Sequence, residues 1–206
     1  FRTANLKNVK KYSNLGLFSI TFSKSLNHDL EMLNSYRDFR QEAEKNNFNY
    51  FLEVFNPQTK TSLNQLQLGE YINDCILKTL AGQLKNERPL FLKIAYNGPR
   101  AMEELASYDP KNLIVGILGG GKGTTRDCFE LISKSCKYGA KVALFGRKIN
   151  LAEDQKLIVK TMRDVVNGMN SIEGVKFYHD QLKKKKIKPD RSLEKDLMIT
   201  ENVLKL

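Results

Sequence analysis

Short apolar runs alternate with longer stretches of helical periodicity through most of the chain. The runs are nearly continuous, which is typical of strands covered on both faces of a parallel sheet with crossover helices between them. The predicted strands are residues 15–22, 50–55, 90–96, 113–118 and 142–145, and the predicted helices are about 30–45, 68–84, 100–107, 124–139 and 152–166. The pattern therefore predicts an α/β fold with five strand–helix units.

Five units fit two architectures. An open doubly wound sheet can use five strands, whereas a TIM (β/α)8 barrel needs eight strands and roughly 250 residues. We favour the barrel, in which this chain supplies strands 4–8 and three further units precede Phe1. Residues 1–168 would then belong to the barrel. Residues 169–206, with a predicted helix at 172–185 and a break at Pro189, would form a C-terminal extension that packs on the barrel or on a partner.

Composition narrows the classes of function. Hydrophobic residues make up 41% of the 206 residues and charged residues 28%, the balance of a soluble globular domain. No apolar run approaches the roughly 18–20 residues that cross a bilayer, and no signal peptide begins the chain. We therefore expect a cytoplasmic protein with no membrane partner.

The net charge of +11 suits anionic partners, either phosphorylated metabolites or nucleic acid. Part of this charge lies in the lysine run at residues 183–188. That run has no interleaved aromatic residues, so it favours a solvated helix end over a nucleic-acid surface. We expect a phosphorylated small molecule as partner, with nucleic acid the less favoured alternative.

Cysteine and histidine usage gives no sign of a metal site. Cys75, Cys128 and Cys136 lack metal-ligand spacing and are all expected to be small buried apolar residues in a reducing compartment. His28 and His179 are the only histidines, and His179 is expected to be structural. The sequence thus predicts no metal and no cofactor.

Lys93 is the strongest candidate for chemistry. It lies in the middle of an apolar strand, where an ammonium group is costly to bury. A desolvated amine is more often neutral, and a neutral amine attacks carbonyl carbons. The alternative is a lysine whose stem reaches from the strand end to water.

Glu53 is a second charged residue inside an apolar strand. Alternation places it on the same face as Phe51 and Phe55. If Lys93 faces the interior of the barrel, Glu53 on the neighbouring strand either transfers protons or only neutralises the lysine. Both interpretations remain open from the sequence.

A glycine-rich turn at residues 119–125 follows a strand and opens a helix. Backbone N–H groups and a helix N-terminus make an anion site there. The predicted phosphate-binding residues are Gly119, Gly120, Gly121 and Lys122, joined from the next strand by Gly146 and Arg147. A rival interpretation is a nucleotide-binding P-loop from Gly116 to Lys122, but Gly123 stands where that motif needs Ser or Thr.

The loop after the first strand supplies possible substrate contacts. Ser23, Lys24 and His28 would lie at the catalytic end of a barrel. The alternative is a solvated loop in which Asp29 caps the next helix.

These segments resemble the class I (Schiff-base) aldolases of the DhnA/DeoC/LacD group. Residues 90–96, 116–121 and 143–147 are similar to strands six, seven and eight of that barrel, and Glu53 falls on strand five. The resemblance implies that Lys93 is the Schiff-base lysine and that the two glycine turns bind phosphate. It implies a carbon–carbon lyase acting on a phosphorylated ketose or related sugar phosphate.

One position departs from the family pattern. Aldolases of this type that act on fructose bisphosphate have a tyrosine acid/base at the end of strand five, where this chain has Phe55. Either Glu53 or Tyr96 supplies the proton transfer, or the substrate differs. A sugar-phosphate-binding barrel without turnover is therefore the main alternative.

A homo-oligomer is also expected. The predicted tail helix carries an apolar stripe that must cover some surface: Ile172, Val175, Phe177, Tyr178 and Leu182. That surface is either the barrel itself or a second subunit.

Overall fold

The computed structural model describes residues 4–206 and contains one five-stranded parallel sheet with strand order β1-β2-β3-β4-β5. The strands are β1 Leu15–Thr21, β2 Asn49–Phe55, β3 Leu92–Ile94, β4 Val115–Leu118 and β5 Val142–Leu144. The helices are α1 Leu6–Val9, α2 Leu26–Lys45, α3 Gln65–Leu80, α4 Pro99–Tyr108, α5 Thr125–Lys137, α6 Arg147–Asn150, α7 Gln155–Val166, α8 Ser171–Lys184 and α9 Leu193–Asp196, followed by a 3-10 turn at Asn202–Lys205. The predicted α/β class is confirmed, and the arrangement is consistent with part of a TIM barrel; the assignment to strands 4–8 stays a prediction.

Strand register brings one residue from each strand into a single row. Ser19 on β1 is level with Glu53 on β2, which is level with Lys93 on β3. Gly116 on β4 and Val142 on β5 complete the row. Side chains of one row in a parallel sheet share a face, so the sheet aligns the two charged residues that interrupt apolar strands.

β3 is shorter than the apolar run that predicts it. The run spans seven residues, but the strand covers Leu92–Ile94. The chain turns soon after it, because Gly98 takes φ +103°, in the left-handed region, and Pro99 begins α4.

Two apolar cores hold the elements together. The first lies between the sheet and the helices and includes Ile20, Leu52 and Leu92, each at most 1% exposed. The second joins the helices α5, α7 and α8 through a fully buried group: Phe129, Ile158, Val175 and Tyr178. The apolar stripe of α8 therefore covers α5 and α7 of the same chain.

The sheet face opposite the helices, called the inner face below, is only partly covered. Leu17 is 45% exposed and Ile114 is 43% exposed. Phe51 and Phe91 stack beside them with ring centroids 4.7 Å apart. Within residues 4–206, no helix combines the length and apolar character that crossing a membrane requires.

Candidate active site

Lys93 and Glu53 form an ion pair on the inner face. Lys93 Nζ lies 2.6 Å from Glu53 Oε1, and the side chains are 22% and 8% exposed. Leu92 and Ile94 point into the core on the helix side, so alternation turns Lys93 to the inner face. The amine is therefore held against the sheet by a buried carboxylate instead of extending into bulk water.

Ser19 completes this group. Its Oγ donates to Glu53 Oε2 over 3.0 Å, so each carboxylate oxygen has one partner. The three residues stand side by side on adjacent strands, which fixes the carboxylate between the hydroxyl and the ammonium. Ser19 was missed from the sequence, although a hydroxyl inside an apolar run was the available signal.

Tyr96 is not joined to this group. Its side chain packs in the same core as Ile94, and its buried hydroxyl has no hydrogen-bond partner among residues 4–206. Burial raises the pKa of Tyr96, and nearby Tyr138 and Glu130 add to the effect. A proton-transfer role for Tyr96 stays a prediction that no contact with Lys93 supports.

The glycine turn is a tight connection between β4 and α5. Gly120 and Gly123 have φ of +59° and +52°, conformations that side chains rarely adopt. Thr124 then caps α5, accepting from Asp127 N, and its hydroxyl donates to Met198 O over 2.8 Å. Because capping occupies this hydroxyl, the contacts give no support to the P-loop alternative.

Two groups at this turn that could bind an anion already bind carboxylates of the C-terminal segment, which is residues 190–206. Lys122 Nζ pairs with Asp190, and Thr125 N donates to Asp196 Oδ1 over 2.8 Å. Asp196 also lies 2.9 Å from His179 Nε2. Burial alone would raise the pKa of Asp196, but the hydrogen bonds from Thr125 and His179 hold it below its usual value. A phosphate at this turn would have to compete with these groups or use the remaining amides.

Gly146 and Arg147 lie beside the glycine turn. Both are exposed, and Arg147 begins α6. Gly119 N donates to Leu144 O over 3.0 Å, which brings the loops after β4 and β5 together. Gly119 is three residues beyond Gly116, the register neighbour of Lys93. The turn therefore begins roughly 10 Å along the strands from the backbone row that contains Lys93, given about 3.3 Å per residue.

The loop after β1 is closed on itself. Ser23 donates to Asp29 Oδ1 through both its N–H and its hydroxyl, at 2.8 and 2.9 Å, and its hydroxyl lies 3.2 Å from His28 Nδ1. Lys24 N donates to Tyr71 Oη over 3.1 Å. The loop stands at the same end of the sheet as the glycine turn, but these contacts are made within the loop and with Tyr71 of α3 and do not include Lys93.

Asn56 and Asn97 were missed although each follows an apolar strand closely. Their side-chain amides exchange two hydrogen bonds of 2.8 and 3.0 Å across the ends of β2 and β3. They line a cleft of about 210 Å³ together with Gly119, Gly120 and Glu201. Burial, and secondarily Asp127, raises the pKa of Glu201. Glu201 is distant from Asn56 and Asn97 in sequence, so only the tertiary structure shows that it lines this cleft.

Comparison with known proteins finds similarity of fold. No protein-family model matches the chain, and no curated protein sequence matches it. A solved structure of an archaeal fructose 1,6-bisphosphate aldolase superposes with a TM-score of 0.62 at 15% sequence identity. The match covers 81% of this chain and 63% of that one, so this chain spans less than two thirds of the aldolase. The comparison therefore shows that the fold of this chain is similar to that of the aldolase.

Proposed function

We propose that this chain carries the reactive part of a Schiff-base aldolase acting on a phosphorylated ketose or a related sugar phosphate. The observation that carries the proposal is the Lys93–Glu53 pair, 2.6 Å apart on the inner face of an aldolase-like sheet. At this distance the Glu53 carboxylate can accept a proton from the Lys93 ammonium directly.

The chemistry begins with that proton transfer. Lys93 passes a proton to Glu53 and its neutral amine adds to the ketone carbon of the substrate. The carbinolamine takes up protons and loses water, leaving an iminium. Glu53 then removes a proton from the substrate hydroxyl; the carbon–carbon bond breaks, the hydroxyl-bearing fragment leaves as an aldehyde, and the electron pair of the broken bond moves into the iminium to give an enamine. Protonation of the enamine and addition of water return the free lysine.

Phosphate binding is assigned to the loops after β4 and β5. The amides of Gly119, Gly120 and Gly121, with Lys122 and Arg147, would hold the phosphate and so place the carbonyl against the amine. The offset along the strands between the turn and the backbone row of Lys93, roughly 10 Å at about 3.3 Å per residue, suits an extended sugar phosphate. Ser23, Lys24 and His28 would be outer contacts at the same end.

Reductive trapping tests the proposal. We expect dihydroxyacetone phosphate with borohydride to add one reduced adduct to the wild-type chain, located by peptide mass spectrometry at Lys93. Lys93→Met should abolish the adduct, whereas Lys160→Met, which removes an exposed lysine paired with Asp164, should leave it unchanged. An adduct that persists in Lys93→Met, or none in the wild type, refutes the assignment.

A second candidate is a sugar-phosphate-binding protein without turnover. It is favoured by the same pair, because a lysine held this closely by a carboxylate can be purely structural, and by Phe55 in place of the family's tyrosine. It predicts thermal stabilisation by sugar phosphate that survives Lys93→Met, with no trapped adduct.

A further inference from the structure

A separate cleft of about 360 Å³ opens between α2 and α3 on the helix side of the sheet. One wall comes from a single face of α2, where Leu33, Arg37 and Arg40 recur at helical spacing. Cys75 lies on the opposite wall, from α3, and Phe22 adds apolar surface. The volume falls within the range of small-molecule sites.

The charged groups of this cleft favour an anion. Arg37, Arg40 and Lys78 line it, whereas Asp29 is the carboxylate among its lining residues. Arg37 also pairs with Asp38 over 3.1 Å and Lys78 with Asp74 over 3.3 Å, but both pairs are exposed, and solvent weakens pairs of this kind. Asp29 already accepts both hydrogen bonds from Ser23, so its charge is engaged at the loop.

Arg40 has unused hydrogen-bonding capacity. Its Nε is buried and has no acceptor within residues 4–206, and its nearest carboxylate, Glu87 Oε1, is 3.6 Å from Nη1. The guanidinium carbon lies 5.6 Å from the centroid of the Tyr36 ring, which orients the group. Buried donors normally have acceptors, and a guanidinium matches a phosphate or carboxylate.

We infer that this cleft binds a small organic anion whose phosphate or carboxylate head contacts Arg40 and Arg37 and whose short apolar body lies against Phe22 and Leu33. The inference is independent of the Schiff-base proposal, since none of these residues belongs to the inner face of the sheet.

Cys75 provides a readout inside the cleft. Peptide mass spectrometry follows the rate at which iodoacetamide alkylates Cys75. The reaction is run separately in the presence of octyl phosphate, of 1-octanol and of inorganic phosphate. Cys136 is exposed, so the expectation from sequence that it is buried was wrong, and it serves as the internal control; the buried Cys128 reports any unfolding. Octyl phosphate at about ten times its Kd should slow Cys75 alkylation roughly tenfold without changing Cys136. Neither 1-octanol nor inorganic phosphate should do so at the same concentration.

The matched variants are Arg40→Met and Arg163→Met, the second removing an exposed arginine of α7. Protection should fall at least severalfold in Arg40→Met and persist in Arg163→Met. Equal protection by 1-octanol, no protection of wild-type Cys75, or full protection in Arg40→Met overturns the inference. The comparison of probes on the wild-type chain decides it even if Arg40→Met exposes Cys128.

Discussion

At the residue scale, two charges inside apolar strands carry most of the functional argument. Glu53 and Lys93 are each costly to bury alone, and each is neutralised by the other, which stands beside it in the sheet. Ser19 holds the second carboxylate oxygen, so the pair is fixed in one geometry. These contacts are compatible both with proton transfer during catalysis and with a purely structural ion pair. Covalent trapping at Lys93 therefore distinguishes an aldolase from a binding protein without turnover.

A double-mutant cycle measures the strength of this pair. We expect Glu53→Gln to lower the free energy of unfolding by roughly 3 kcal/mol, because it leaves Lys93 without its counter-charge. Ser19→Ala should lower it by about 1–2 kcal/mol through loss of a hydrogen bond to a charged group. Urea denaturation of Glu53→Gln, Lys93→Met and the double variant should show that the double variant is less destabilised than the sum. Strict additivity would mean that the two side chains do not interact.

At the scale of elements, the C-terminal segment and the N-terminus of α5 form one unit. Asp190 and Asp196 reach the glycine turn, and Asp127 of α5 accepts from the N–H and hydroxyl of Thr200, the N–H over 2.8 Å. A turn built to bind anions is thus partly satisfied from within the chain. The proposed phosphate binding at this turn would therefore depend on the position of the segment.

Removing the Asp190 charge should strengthen phosphate binding. Asp190→Asn frees the ammonium of Lys122, so we expect the affinity for inorganic phosphate to rise severalfold, measured by calorimetry. Asp164→Asn, which removes a half-buried carboxylate of α7 that pairs with Lys160, is the control. Unchanged affinity in Asp190→Asn would place phosphate away from Lys122.

Acid should loosen the same segment. Hydrogen bonds hold the pKa of Asp127 and Asp196 below their usual value even though burial alone would raise it. Their stabilising contribution is therefore present above the unfolded-state pKa of about 4 and is lost as pH falls through the lower folded-state pKa. We expect the melting temperature of the wild type to decrease once the pH drops below about 4. The melting temperature of Asp196→Asn should be lower than that of the wild type at pH 7 and should decrease less steeply with falling pH. An equal slope in both proteins would contradict this account.

At the scale of the whole molecule, one sheet face is covered by helices and the other is partly bare. Leu17 and Ile114 remain over 40% exposed on the inner face, and β1 and β5 are the edge strands within residues 4–206. Apolar patches and unpaired edges of this kind favour association.

We therefore predict that the chain self-associates through the apolar part of the inner face around Leu17 and Ile114, which lies on the amino-terminal side of the row that holds Lys93. Leu17→Asp should shift sedimentation toward the monomer at concentrations where the wild type associates. Leu26→Asp, on the first turn of α2 and 74% exposed in the wild type, is the matched control. Association that survives Leu17→Asp would place the contact elsewhere.

The sequence alone determined the order and type of the main elements. Apolar runs and helical periodicity depend on local burial, so strand–helix alternation could be predicted, with boundaries off by a few residues where Gly98 and Pro99 end the strand early. Lys93 and Glu53 could be found because a charge in an apolar strand is costly wherever it occurs. Tertiary structure alone decided that the pair touches, that Ser19 joins it, and that Asp190 and Asp196 reach the glycine turn. These contacts join residues distant along the chain, and their formation depends on strand register and on the packing of α8, which no local pattern specifies.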